Sequence, residues 1–258
     1  MRASVLTRLT DMLARAGCVA ADEEAAELLA AAGGDRSRLI SLVHRRLRGE
    51  PLAWVTGQAA FGELVVTIEP GTYVPRWQSL ELAARAAARL PEGGRAIDLC
   101  TGSGAIAAAL QLRRRSARVM ATDIDSGAVA CARDNGVDAR RGDLFDPVPS
   151  EFDGSTDVVV AVVPYVPTSA LQYLPHDARS FEVPSHYHGG RDGTDVLRRV
   201  VAGAPRFLRA GGALLLELGG EQAEVVASQM SELSYGQIEV WADEDGDVRG
   251  IEATLLSS

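Results

Sequence analysis

The chain has no lysine: all 26 of its basic residues are arginine. A lysine base, a Schiff-base amine and a phosphate-clamping lysine are therefore excluded. Asparagine occurs once, at Asn135. The three cysteines, Cys18, Cys100 and Cys131, are widely spaced and form no CxxC pair. Neither a disulfide framework nor a metal site is expected from them, and they suit a reducing, cytoplasmic setting. No apolar stretch approaches the roughly 20 residues of a membrane helix; the longest, such as 158–163, are short. No apolar core follows Met1-Arg2-Ala3-Ser4, so neither a signal peptide nor a membrane partner is expected. Positive charge is in deficit, with a net charge of −9 and a pI of about 5.0. A nucleic-acid binder usually carries a basic footprint, so no nucleic-acid partner is expected.

The 258 residues suit one large domain plus a small one, and 47% apolar with 24% charged residues is ordinary globular composition. Residues 1–50 read as a small helical domain. Val5, Leu6, Leu9, Met12 and Leu13 recur at helical spacing. Asp22-Glu23-Glu24 opens a second helix that Gly33-Gly34 ends, and Asp35 caps a third that Gly49 stops. A structural or docking role suits this part. Residues 51–75 read as a linker with a hairpin, its strands at 57–61 and 64–68.

Residues 76–258 alternate between strand and helix. Strands are predicted over 95–99, 118–122, 158–163, 213–218, 238–241 and 251–255, with helices over 80–90, 105–112, 127–133, 196–208 and 222–233. The all-apolar run 158–163 fits a strand buried on both faces. The pattern predicts an α/β fold: a doubly wound, Rossmann-like sheet closed by an antiparallel hairpin.

The first strand of that sheet runs into Asp98-Leu99-Cys100-Thr101-Gly102-Ser103-Gly104-Ala105-Ile106-Ala107. Gly102, Gly104 and Ala107 fit a G-x-G-x-x-G/A turn that lets a ligand approach the backbone. Asp123, 19 residues after Gly104, ends the next strand and is placed to accept from ribose hydroxyls. Asp98 puts a carboxylate beside the loop, which opposes a pyrophosphate and suits a cation. S-adenosylmethionine (SAM), with a sulfonium, an ammonium and no phosphate, is therefore favoured over a dinucleotide. Asp143, with Leu144 or Phe145 against the ring, in the stretch between the strands at 118–122 and 158–163, is a candidate for the adenine.

The chain resembles the HemK/PrmC family of SAM-dependent protein-glutamine methyltransferases. The likeness rests on Arg48-Gly49-Glu50-Pro51-Leu52, Gly57 to Gly62, Pro70-Gly71, Val74-Pro75-Arg76, Asp98 to Gly104, Asp123, Asp143, Gly189-Gly190-Arg191-Asp192-Gly193 and Pro205 to Gly212. It implies a class I SAM-dependent methyltransferase fold with a small N-terminal helical domain. It also implies cofactor contacts from Asp98, Cys100, Thr101, Gly102, Gly104, Asp123, Ile124, Asp143, Leu144 and Val162.

One motif departs. The family carries Asn-Pro-Pro-Tyr at the end of the strand that matches 158–163, where the Asn side chain and a backbone carbonyl hold the amide nitrogen. This chain reads Val162-Val163-Pro164-Tyr165, and Pro75-Arg76-Trp77-Gln78-Ser79 replaces Pro-Arg-Pro-Glu-Thr. A lost aligning hydrogen bond costs on the order of 100-fold in rate. The expected acceptor is therefore a small molecule of specialised (natural-product) metabolism, with glutamine methylation or a non-methylating SAM-fold displacement as alternatives. Substrate contacts are expected from Arg76, Trp77, Pro164, Tyr165 and Tyr187. Catalysis is expected from Tyr165 and from His176, His186 and His188, because histidine suits proton transfer near neutral pH. His186 and His188 would point the same way in an extended loop, with Tyr187 facing away. A homodimer is compatible with the sequence.

Overall fold

The computed structural model describes residues 2–174 and 180–257; His176 lies outside the described residues. Three helices come first: α1 (Arg2–Arg15), α2 (Ala21–Ala32) and α3 (Arg36–Leu47). Gly33 ends α2 in the left-handed region, at φ 59°. Asp35 caps α3 by accepting from the Ser37 and Arg38 N–H groups at 2.7 and 3.1 Å. Leu9, Leu13, Leu28, Leu42, Val43 and Val55 bury one another in a small separate core. Arg46 and Glu24, paired at 2.6 Å, tie α3 to α2.

The segment after α3 is not a free-standing spacer. A short helix, α4 (Leu52–Thr56), precedes the antiparallel hairpin of β1 (Gln58–Phe61) and β2 (Leu64–Thr67). Within α4, Val55 joins the helical core while Trp54 joins the main one, where its Nε1 donates to the Thr72 carbonyl at 2.9 Å. Phe61, Val66 and Ile68 also lie in the main core.

The main sheet contains β3 (Arg95–Leu99), β4 (Arg118–Asp123), β5 (Asp138–Arg141), β6 (Thr156–Ala161), β7 (Leu208–Glu217), β8 (Tyr235–Ala242) and β9 (Val248–Leu255). Its order is β5-β4-β3-β6-β7-β9-β8. All neighbours are parallel up to β7; β9 runs antiparallel to both β7 and β8. Side-chain alternation divides the core between two faces. Ala96, Val119, Val158, Val160 and Leu215 pack with α5 (Ser79–Arg89), α6 (Ala105–Arg113) and α7 (Ser126–Asp134). Ile97, Leu99, Met120, Val159 and Leu214 pack with α8 (Asp195–Gly203) and α9 (Gly220–Glu232). Every residue of β6 is buried.

The region expected as one helix over 196–208 ends earlier. Pro205 has no N–H to continue it, a 3₁₀ turn spans Ala204–Arg206, and Leu208 already pairs with Thr156. Strand order reverses at β3, so the carboxyl ends of β3, β4 and β6 form the crevice where doubly wound sheets bind ligands. Among the described residues no helix is long and apolar enough to cross a membrane.

Candidate active site

Two cavities meet in that crevice. The larger, about 630 Å³, is lined by Gly71, Tyr73, Gly102, Val162, Tyr165, His186 and Tyr187, among others. The smaller, about 400 Å³, is lined by Asp143, Leu144, Pro184, His188, Val196 and Arg199. Cys100, Asp123, Ile124, Pro164 and Ser185 line both.

The glycine loop is shaped by sterics. Gly102 and Gly104 have φ of 55° and 81°. A Cβ on Gly104 would come within 3.0 Å of both Ala132 and Val137, so glycine lets α6 pack tightly on the next βα unit. Cys100 and Leu144 also hold positive φ, 54° and 48°, without being glycine. Both line the cavities, the kind of place where backbone strain collects at a ligand site. Burial pushes the Cys100 thiol far above its ordinary pKa, so it is a neutral wall group.

Asp123 stands where the cavities join. Its Oδ2 accepts from the Gly102 N–H at 2.9 Å and its Oδ1 from the Asp125 N–H at 3.0 Å. Each oxygen keeps lone-pair capacity for a ribose hydroxyl. Burial raises the Asp123 pKa, opposed by these two backbone donors. Asp143 is in the smaller cavity as expected, but its Oδ2 also accepts from Arg199 at 2.7 Å, a partner not anticipated from the sequence. Ile124 is 66% exposed on the rim.

Asp98 differs from expectation. It is 1% exposed and lines neither cavity. Its Oδ2 accepts from Thr101 Oγ1 at 2.6 Å and from the Ala107 N–H at 3.2 Å, so it ties the loop to α6 from behind. Burial raises its pKa to about 7.

Among the described residues, those lining the larger cavity include Asp123 and Asp125 and no arginine. A pyrophosphate would meet only negative charge there, whereas a sulfonium with an amino-acid ammonium would meet favourable charge. The residues present therefore fit SAM. Asp143 and Leu144 would flank its adenine, Asp123 its ribose, and the Gly102 loop its amino-acid end.

The acceptor side is built by long-range contacts. Residues 166–168 pair with 187–190: Val166 N–H donates to Tyr187 O at 2.8 Å, Gly189 N–H to Val166 O at 3.0 Å, and Thr168 N–H to Gly190 O at 2.9 Å. Tyr165 lines the cavity, but its hydroxyl donates to Glu217 Oε1 at 3.0 Å and burial raises its pKa far above the ordinary value. It is a positioned neutral phenol and not a base. Glu217 also accepts from Ser79 Oγ at 2.5 Å. Arg76 stands behind the cavity wall, donating to Glu182 Oε1 and to the Tyr187 hydroxyl, both at 2.9 Å. Trp77 is a correction: it is 67% exposed and lines neither cavity, because the turn before α5 carries it outward.

The histidines do not share one side. Pro184–His186 forms a 3₁₀ turn, which breaks the two-residue alternation of an extended loop. His186 and Tyr187 both line the larger cavity. His188 lines the smaller one, with its Nε2 2.8 Å from Thr168 Oγ1. Tyr73, Glu182, Glu217 and Arg199 were not singled out from the sequence. Arg76 reaches Glu182, Tyr165 reaches Glu217 and Arg199 reaches Asp143 across 106, 52 and 56 positions, so local patterning carried little signal for these pairs.

Sheet order, glycine loop and the carboxylate that ends β4 together define a class I SAM-dependent methyltransferase, and SAM is its cofactor. The release factor glutamine methyltransferase of Mycolicibacterium smegmatis is 38% identical over 234 residues, spanning 81% of this chain and 81% of the relative. That of Neisseria gonorrhoeae is 37% identical over 215 residues, spanning 81% of this chain and 78% of the relative. The chain belongs to this HemK/PrmC family of release factor glutamine methyltransferases. The same fold occurs in the Thermus thermophilus 16S rRNA N2 G1207 methyltransferase solved with AdoMet and guanosine. Its TM-score is 0.51 at 23% identity, covering 78% of this chain and 45% of that one. No family model matches the chain.

Membership overturns the small-molecule acceptor expected from the altered tetrad: the relatives are named for a protein substrate. Natural-product biosynthesis has no support either. The altered tetrad is one turn in a chain whose likeness to these relatives, at 37–38% identity, extends over 81% of its length.

Two predictions follow from the cofactor side. Asp123→Ala should weaken SAM binding by about 1.5–3 kcal/mol, the range for hydrogen bonds to a charged group. Calorimetry giving unchanged affinity would show that Asp123 does not hold the ribose.

The second concerns Asp98. Its folded pKa of about 7 lies above the ordinary 3.8, so the folded state binds its proton more tightly than the unfolded state. Stability is then lost as pH rises from about 4 to 7, by on the order of 4 kcal/mol, and is level beyond. Asp98→Asn should remove that slope from the cofactor-free protein. Chemical denaturation at several pH values checks it; parallel stability curves for the two proteins would refute it.

Proposed function

We propose that this chain transfers the methyl group of SAM to the side-chain amide nitrogen of a glutamine in a protein. The observation that carries this reading is the placement of the 162–165 turn. That turn lines the same cavity as Gly102 and Asp123, at the end of β6. The acceptor and the transferable group therefore share one chamber. The naming of the relatives for release factor glutamine supports an amide acceptor.

When bound, SAM supplies an electrophilic methyl carbon on a sulfonium. The protein's part is alignment and exclusion of water. The main-chain carbonyls of Val162 and Val163 remain as acceptors for the amide N–H groups, since valine adds none. Tyr73 and Tyr187, packed edge-to-face at 5.8 Å, narrow the chamber around an extended side chain. Burial raises the Tyr73 pKa to about 12, so that wall is neutral at physiological pH. Tyr165, fixed by Glu217, holds the turn in place.

The test is mass spectrometry of a recombinant release-factor domain incubated with the protein and SAM. The expected product is a single N-methylated glutamine peptide. SAM binding without any methylated glutamine would overturn the proposal.

A further inference from the structure

Val162 leaves the acceptor chamber without the amide side chain that the resemblance places there, yet another polar group lines the same chamber. His186 lies on its wall, its side chain 15% exposed. The 3₁₀ turn opened by Pro184 brings it back over Glu182, whose side chain is only 1% exposed. His186 Nδ1 and Glu182 Oε2 are 3.9 Å apart. Neither atom has a hydrogen-bond partner among the described residues, and both are buried. The other carboxylate oxygen is held by Arg76 at 2.9 Å. Burial alone would raise the Glu182 pKa, but His186, Tyr187 and Arg76 outweigh it and hold the carboxyl below the ordinary range. Tyr73 meets the imidazole edge-on, with ring centres 6.3 Å apart at 88°, which restricts its plane.

We propose that Glu182 and His186 form a carboxylate–imidazole pair in which His186 Nε2 contacts the acceptor nitrogen and receives its proton, while Glu182 acts as the positioning residue. This rests on the glutamine reading above. A carboxylate facing Nδ1 selects the Nδ1–H tautomer and leaves the Nε2 lone pair free. His188 cannot share this role, since its Nε2 is engaged with Thr168 and faces the other cavity.

The step balances. The amide nitrogen forms a bond to the methyl carbon as the sulfur–carbon bond breaks, and the bonding pair stays on sulfur. The nitrogen then carries one proton too many, and Nε2 takes it. Positive charge thus passes from the sulfonium to an imidazolium that faces the Glu182 carboxylate. Among the described residues, Tyr73 packs on the ring, Tyr187 and Asp123 line the same cavity, and Arg76 stands behind Glu182. The proton leaves to solvent before the next turnover.

The experiment combines kinetics on the release-factor domain with imidazole ¹⁵N NMR of the full chain, His186 being assigned from the signal lost in His186→Ala. His186→Ala should lower kcat by roughly 100- to 10,000-fold while SAM affinity is kept. Glu182→Gln should lower kcat with little change in KM. In the wild type the His186 signal should report the Nδ1–H tautomer, and in Glu182→Gln a mixture. Full turnover in His186→Ala, or a tautomer unaltered by Glu182→Gln, would overturn the proposal. If the wild type methylates no glutamine, the substrate reading and the catalytic role fall together. The tautomer measurement still judges the Glu182–His186 pair.

Discussion

Gly193→Ala is expected to cost about 2–5 kcal/mol of stability and to abolish most methyl transfer. Gly193 has φ of 80°, a region where any residue with a Cβ is strained. An added Cβ would also overlap the Tyr165 carbonyl oxygen and sit 2.8 Å from Gln222 Nε2. Neither neighbour can yield freely. Gln222 Nε2 donates to Tyr165 O at 3.4 Å and to Asp192 O at 3.3 Å, while its Oε1 accepts from the Gly219 N–H at 2.8 Å. Gly189 is equally confined, since its Cβ would lie 2.7 Å from both the Pro164 carbonyl and the Tyr165 Cα. The glycines of 189–193 therefore work as a bracket that holds the acceptor turn, with no contact to the cofactor side. Denaturant unfolding and single-turnover kinetics check this together. SAM affinity should fall far less than turnover, and a variant with wild-type stability and rate would show that the bracket is dispensable.

That bracket marks where sequence reading stops. The alternating sheet was legible because β3, β4 and β6 bury apolar residues on both faces, so helical and strand periods separate cleanly. The Asp35 cap, the Gly33 stop and the glycine loop were legible because each acts within a few residues. The place of Asp123 at the end of β4 was legible from its spacing to the loop. The acceptor wall was not. Arg76 reaches Glu182 and Tyr187 across 106 and 111 positions, and Tyr165 reaches Glu217 across 52. Nothing local marks such pairs. The direction of the histidines depended on one turn type at Pro184, and the extended conformation assumed for 186–188 reversed the placement of Tyr187. The small-molecule expectation rested on two short departures, Val162-Val163 and Trp77-Gln78-Ser79, whereas the likeness to release factor glutamine methyltransferases extends over 81% of the chain.

Val162→Asn should raise the rate of glutamine methylation on the order of 100-fold, the value of one well-placed aligning hydrogen bond in a water-excluded site. Val162 directly follows β6, is half-buried, and lines the larger cavity with Gly102 and Tyr165. An asparagine there could turn its amide oxygen toward the acceptor nitrogen from a rigid strand end. The stability cost should be small, about 1 kcal/mol, because the side chain faces a cavity that water can enter. The gain should appear in kcat more than in KM, since an amide nitrogen must be held in line only as the new bond forms. The same variant should soften the His186→Ala defect, because both side chains would then address the same nitrogen, and coupled groups do not add. Rates of methylated-peptide formation for the four proteins of that cycle supply the test. No gain in Val162→Asn would mean that the acceptor nitrogen does not approach the 162 position. Strict additivity would mean that His186 and residue 162 act on different atoms.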